Sequence, residues 1–439
     1  MVEDAKPAGS EVIDTTEKES PFYISISENG LKTLTEDKIL YTSKFHKLQW
    51  HCEPNYELPI KLSRDMGPGS ETPVTLSQCF LAQSARFHDK LCLQFIQDPP
   101  GSSHGHASDA VDGEHKLTGY RPIRQRQAKI YQYTWDIFYQ MAMHFAKALV
   151  SLGVSERSCV ILQGMNSPEH LAAIMGTVLA NCIYTDIYMT NSPEVCLKQF
   201  RETNTKIIVC DTYKRLRTSF LDHYEKELSD EGLLACFLFA EGTTKGTSGL
   251  SFKSSRRGIK IFNWSQVMQL GAPVEDRNVF VRVERQKPGM CCSIVYTSGT
   301  TGEPKGVMLS HDNLTWFWTS FNLQKYGPDP EDKNAPKEEW PPIRMVSFLP
   351  LSHITAQMID VSRMLISRRP IQLTFAGQRY VNENLHEVMK IVKPTDLVAV
   401  PRVYEKWQSL IEYAVAHWSP TYKTLYKWAV DLGWQNTLA

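Results

Sequence analysis

Between residues 159 and 239 short apolar runs alternate with segments that open on helix-capping chemistry, which leaves the chain few architectures. Cys159-Val160-Ile161-Leu162 is an unbroken apolar run, as expected of a strand covered on both faces. Asn166-Ser167-Pro168-Glu169 follows. There a short polar side chain caps the free N–H groups of a first helical turn, and proline suits the first helical position. The pattern continues with a strand near 183–188, a second helix start at Asn191-Ser192-Pro193-Glu194 and the apolar strand Lys206-Ile207-Ile208-Val209-Cys210. It predicts a helical stretch around 213–228 and a strand at 233–239. Strands separated by helices make βαβ units and a mostly parallel sheet. The two NSPE starts lie 25 residues apart, the length of one such unit. A strand is predicted again at 290–296, and alternation resumes through 345–350, 352–366, 371–375, 383–392 and 396–400.

Composition narrows the function classes. The 439 residues carry 48 basic and 48 acidic side chains with 42% hydrophobic residues. At roughly 100–200 residues per domain this is two or three domains' worth of ordinary globular chain. A disordered chain, a collagen, a coiled coil and a disulfide scaffold are all excluded. Balanced charge also argues against nucleic acid as a partner, since such binders are basic. The ten cysteines are scattered with no C-x-x-C pair, so clustered zinc ligands are not expected. The first 20 residues hold six acids and two lysines, the opposite of a secretory or mitochondrial leader. The expectation is an intracellular, cytoplasmic, reduced chain. The longest apolar stretch, 170–188, is broken by Asn181 and Asp186, so no transmembrane helix is predicted.

The ends and loops differ in character. Residues 1–20 read as a solvated, disordered tail and 21–72 as an N-terminal extension. Residues 98–127 are rich in Gly, Ser, Asp and His without apolar period, which marks a loop insertion. His104 and His106 within it are read as polar loop residues rather than metal ligands. A second polar loop spans 240–258. Near the C-terminus Trp407, Leu410, Ile411 and Ala414 fall on one helical face. That stripe suits core or domain packing, with a membrane surface as the alternative.

One segment carries the chemistry: Ile294-Val295-Tyr296-Thr297-Ser298-Gly299-Thr300-Thr301-Gly302-Glu303-Pro304-Lys305-Gly306. A buried strand runs into a loop of glycines and hydroxyls closed by a lysine. Glycines let backbone N–H groups approach an anion without a side chain intervening. The hydroxyls of Thr297, Ser298, Thr300 and Thr301 add donors to phosphate oxygens, and Lys305 adds a point charge suited to a polyphosphate. Pro304 before the lysine and Gly306 after it exclude a Walker A loop, and G-x-G-x-x-G does not fit either.

With Val307-Met308-Leu309-Ser310-His311-Asp312-Asn313, this stretch resembles the signature loop of the adenylate-forming (AMP-binding) superfamily. Phe348-Leu349-Pro350-Leu351-Ser352-His353-Ile354 resembles the family's LPLxH segment. Lys393-Pro394-Thr395 with Val400-Pro401-Arg402-Val403-Tyr404 resembles its KPT…VPR segment. FLPLSHITAQMID, GMNSPE and YELPIKLS…GPGSETPVTL look most like bubblegum-type long-chain acyl-CoA synthetases. The resemblance covers about residues 40–435 apart from the insertion.

The resemblance implies an α/β fold, the large N-terminal domain of the acyl-CoA synthetase/luciferase-like architecture, over residues 73–439. It implies ATP, Mg²⁺ and CoA as cofactor and co-substrates and a long-chain or very-long-chain fatty acid as substrate. The fatty acid is activated to acyl-AMP with release of pyrophosphate, then transferred to CoA with release of AMP. By similarity Thr297, Ser298, Gly299, Thr300, Thr301, Gly302, Glu303, Pro304 and Lys305 cradle the phosphates, and the Thr297 hydroxyl is a Mg²⁺ ligand. His353 would orient the carboxylate as a catalytic residue, a hydrogen-bonded structural histidine being the alternative. Peripheral association with the endoplasmic reticulum membrane is implied by family alone.

The family's YGxTE and YxTGD segments are not found. Tyr326-Gly327-Pro328-Asp329-Pro330 lacks both the Thr and the Glu. The expectation is therefore an incomplete domain, without the small C-terminal domain and with an unpaired sheet edge. A non-catalytic nucleotide- or acyl-binding product stays open, as does adenylation of another carboxylate for a different acceptor. Ala180-Asn181-Cys182-Ile183-Tyr184-Thr185-Asp186-Ile187 also departs from the small residues and glycines that relatives place there.

Overall fold

A computed structural model describes residues 57, 72–97, 129–240, 253–297, 304–326 and 341–438. Its strands are β1 Leu91–Gln97, β2 Lys129–Thr134, β3 Cys159–Gln163, β4 Ile183–Asp186, β5 Thr205–Cys210 and β6 Ala235–Leu238. The series continues with β7 Lys253–Ser254, β8 Lys260–Asn263, β9 Cys291–Thr297, β10 Lys305–Ser310, β11 Ile343–Ser347 and β12 Ile371–Ala376. They form an eight-stranded sheet in the order β10-β9-β4-β3-β5-β6-β8-β7 and a four-stranded sheet in the order β11-β12-β1-β2. The larger sheet is parallel from β9 to β8, with antiparallel β10 and β7 at its edges. This is the α/β architecture expected from the alternation.

The apolar runs are continuous because the large sheet is covered on both sides. Along β3, Val160 and Leu162 join one apolar cluster while Cys159 and Ile161 join another, the period-2 alternation of a strand. The first cluster also takes Leu93, Ile343, Met345, Leu373 and Phe375 from the four-stranded sheet. One core therefore lies between the sheets, filled by the helices Trp135–Ser151 and Pro168–Leu179. Both NSPE starts form as read. Ser167 Oγ accepts from His170 N and Ser192 Oγ from Val195 N, each with proline in the first turn. The departure at 180–187 has a local reason: Asn181 adopts φ +55, a left-handed conformation that Asn tolerates better than most residues.

Two predicted elements differ. The stretch 213–228 is not one helix but Tyr213–Leu216, a π-helical turn Arg217–Leu221 and Asp222–Asp230, with Tyr224 at φ −133. Residues 396–400 form no strand. Their apolar composition has strand propensity, but among the described residues no ladder partner takes up their backbone groups. Before them, Thr395 N donates to Arg344 O at 3.0 Å and Arg344 N to Thr395 Oγ1 at 3.0 Å, which ties KPT to β11.

Residues 396–439 make a second compact unit, with helices Pro401–Ala416 and Pro420–Leu438. The stripe Trp407, Leu410, Ile411, Ala414 lies on the first of these. Among the described residues no helix is long and apolar enough to cross a membrane. The 1–20 tail, all of the 21–72 extension except Glu57 and Thr72, and the 98–127 insertion with His104 and His106 lie outside the described residues. Glu57 itself bridges to Met290 and accepts from Lys287 Nζ at 3.0 Å.

Gly176 lies where the two core helices pack closely. A Cβ added there would stand 2.6 Å from Ala142 O and 2.8 Å from Phe145 Cβ. Alanine has the better intrinsic helix propensity by about 1 kcal/mol, yet contact with a backbone oxygen cannot be relieved by a rotamer change. Gly176→Ala is expected to destabilise the chain by roughly 1–3 kcal/mol, read as a lower urea midpoint. A midpoint at or above that of the unmodified chain would refute the close-approach account.

Candidate functional site

The hairpin of β9 and β10 closes the glycine-rich loop on itself. Thr297 and Lys305 are register partners across it, as are Tyr296 and Gly306, so the two ends of the loop sit side by side. Ser298, Gly299, Thr300, Thr301, Gly302 and Glu303 lie outside the described residues. Thr297 and Pro304, which flank them, both line a cavity of about 420 Å³. His353 and Ile354 line the same cavity, as do Tyr188, Thr190, Asn191, Gln199, Val295 and Tyr296. Three sequence-predicted site residues thus meet on one cavity. Lys305 is exposed beside it in sequence but is not among the lining residues.

His353 lines the cavity and also makes a local hydrogen bond. Its Nδ1 accepts from Thr355 N at 3.1 Å and caps the short helix Ile354–Ala356. Accepting at Nδ1 puts the proton of the neutral ring on Nε2. An exposed ring on the cavity wall therefore offers an N–H donor to an anionic oxygen.

What holds this histidine in place comes from the opposite sheet. Asn166, in the turn after β3, donates through Nδ2 to Ser347 Oγ at 2.9 Å and to Leu349 O at 2.7 Å. Its Oδ1 accepts from Leu351 N at 3.1 Å. Ser347 Oγ in turn donates to Asp360 Oδ2 at 2.6 Å. On the other side Gln357 Oε1 accepts from Tyr184 and Ser293 at 3.0 and 3.2 Å, and Gln357 Nε2 donates to Leu351 O at 3.0 Å. The LPLSH stretch is thus clamped from β4, β9 and the turn after β3. The sequence pattern presented Asn166 as capping chemistry; Ser167 does the capping, and Asn166 joins the sheets.

Further polar groups are buried in the same fold. His170 Nε2 lies 2.9 Å from Asp186 Oδ2, and its Nδ1 pairs with Met165 O at 3.2 Å, steadying the same turn. His311 accepts from Leu76 N at 3.2 Å, and burial pushes its pKa down to about 3. The Tyr296 hydroxyl donates to Glu202 Oε2 at 2.9 Å. Tyr188, Thr190, Gln199, Tyr296 and Ile354 were not legible as site residues. A glutamine inside a helix and a tyrosine inside a buried strand carry no local signal of a cavity. Asn191 was visible only as part of a helix start.

The sequence and the fold both have known counterparts. A model described as "AMP-binding enzyme" matches residues 119–428. The long-chain-fatty-acid--CoA ligase ACSBG2 of Mus musculus is 30% identical over 384 residues, 87% of this chain and 49% of that protein. ACSBG1 of Homo sapiens, with the same ligase name, is 32% identical over 314 residues, 72% of this chain and 40% of that protein. The chain spans about half the length of the curated relatives it matches. Among solved structures, the A domain of a carboxylic acid reductase from Segniliparus rugosus, in complex with AMP and a co-purified carboxylic acid, superposes with TM-score 0.56. The identity is 18%, covering 81% of this chain and 54% of that one. The corresponding domain from Mycobacterium chelonae gives TM-score 0.54 at 15% identity, covering 80% of this chain and 50% of that one. The fold is that of these adenylation domains.

Asp360 offers a test of the clamp. Burial disfavours its charged form and raises its pKa to about 7, the bond from Ser347 opposing in part. The unfolded carboxyl releases its proton near pH 4. The folded state therefore binds the extra proton between pH 4 and 7, and stability falls as pH rises through that window. Asp360→Asn keeps an acceptor for Ser347 and cannot ionise. Its stability relative to the unmodified chain should climb from pH 4 to 7 and then level off, as read from urea midpoints. A flat difference across that range would show that Asp360 is not buried as described.

Proposed function

Since the chain belongs to the AMP-binding enzyme family, we propose that its cavity activates a long-chain fatty acid with Mg-ATP and passes the acyl group to CoA. Support comes chiefly from one observation: both flanks of the glycine-rich loop and His353 line a single cavity although they are distant in sequence. The ligase names of the sequence relatives supply the substrate class.

In the first step a carboxylate oxygen attacks the α-phosphorus. An O–P bond forms, the bond to the β-phosphate oxygen breaks, and pyrophosphate leaves. In the second, the CoA thiolate attacks the acyl carbon and AMP leaves. The protein's work is positioning and charge stabilisation. Thr297, Ser298, Thr300 and Thr301 donate hydroxyls to the β- and γ-phosphates. Gly299 and Gly302 let the backbone come close, Glu303 and Pro304 complete the loop, and Lys305 offsets the charge of the leaving pyrophosphate. His353 Nε2–H holds the carboxylate in line.

The donors fit a Mg²⁺ that arrives on the nucleotide. Thr297 Oγ1 is a hard oxygen donor of the kind that would hold such an ion, which when bound would neutralise charge on the α-phosphate and the leaving pyrophosphate. Long-chain acyl substrates partition into membranes, so the reading extends to peripheral association with the endoplasmic reticulum membrane from the cytoplasmic side.

AMP release by the purified 439-residue chain, supplied with Mg-ATP, CoA and a long-chain fatty acid, tests the reading. Fatty-acid-dependent AMP is expected, with a loss of about 10²-fold or more in Lys305→Ala and in Gly302→Val. A folded chain that releases no fatty-acid-dependent AMP would overturn it.

A further inference from the structure

Gln199 lines the cavity from the helix Pro193–Thr203 and is 1% exposed. Its Oε1 accepts from Asn191 Nδ2 at 3.0 Å, while its buried Nε2 has no hydrogen-bond partner among the described residues. Buried donors are nearly always paired, because an unmade bond there forfeits the whole cost of leaving water. In the orientation the structure shows the orphan is a donor, and turning the Gln199 amide alone would set its N–H group against that of Asn191. A cavity wall that keeps such a donor is organised for an acceptor that the protein itself does not supply.

The surroundings indicate which acceptor. Among the described lining residues there is no Asp, Glu, Lys or Arg. The nearby Glu202 carboxylate is engaged by the Tyr296 hydroxyl. Neutral donors with no carboxylate among the described lining residues suit an anion, and the same wall runs to Thr297 and Pro304 at the two ends of the glycine-rich loop. We propose that Gln199 Nε2 donates to a β- or γ-phosphate oxygen of the bound nucleotide, extending the phosphate cradle across the cavity from Thr297. This rests on the reading of the cavity as a phosphate site. It adds a binding residue from outside the glycine-rich loop, drawn from the helix Pro193–Thr203.

The arrangement makes an unusual demand on a variant. Gln199→Met fills similar volume without an orphan donor, so it should be at least as stable as the unmodified chain in thermal unfolding. It should nevertheless bind Mg-ATP and pyrophosphate about tenfold more weakly, with AMP affinity unchanged, in isothermal titration. Gln199→Glu keeps the oxygen that Asn191 donates to while replacing the donor by a charge that repels phosphate, and should weaken pyrophosphate further. If the unmodified chain binds neither Mg-ATP nor pyrophosphate, the phosphate reading fails and this assignment with it. If it binds both and Gln199→Met binds them equally well, only the assignment fails. Loss of stability in Gln199→Met would make the side chain structural and overturn it. So would weakened binding of a fatty acid with pyrophosphate unaffected.

Discussion

The Asn166 carboxamide joins the two sheets. It spends three hydrogen bonds on the chain that leaves β11, two through Nδ2 and one through Oδ1. Each such bond is worth only about 1 kcal/mol net, but a carboxamide stripped of partners between sheets would cost more than it had gained. The turn after β3 and the LPLSH stretch are therefore coupled. Neither can move without leaving polar groups unpaired. Because His353 lies at the end of that stretch, its place on the cavity is set by a residue nearly two hundred positions earlier.

Around this bridge the protein tolerates several costly groups. Asp360 is buried with one hydroxyl donor, His311 is held neutral by burial, and Gln357 gathers three bonds in the core. Residues 357–362, which carry both Gln357 and Asp360, form a π-helical turn, a geometry that is rare and concentrates where side chains must be re-aimed. Polar networks of this kind add little stability when complete and lose much when broken. What they supply is a single arrangement of the cavity wall. The antiparallel pairing of Thr297 with Lys305 does the same for the loop, since a hairpin with fixed register fixes the distance its loop must span.

Much of the fold was legible in local pattern. The strands at 159, 183 and 205, and the helices begun by Ser167 and Ser192, follow from capping chemistry and apolar runs that act within a few residues. The glycine-rich loop was legible because phosphate binding demands residue types that little else requires in that order. Residues 396–400 have the composition of a strand, but a strand exists only where another offers its backbone. The π-helical break at 217–221 has no counterpart in the apolar period that predicted one helix there.

By itself the sequence determined the α/β alternation and the candidates Thr297 and Lys305, which depend on backbone chemistry and on side-chain types at short range, while Pro304 and His353 became candidates through the family resemblance. Only the tertiary structure decided that Thr297, Pro304 and His353 share one cavity, that Lys305 does not line it, and that Asn166 ties the sheets rather than capping a helix. Only there does Gln199 acquire meaning. A missing hydrogen-bond partner is a property of everything surrounding an atom, and no neighbourhood in sequence contains it.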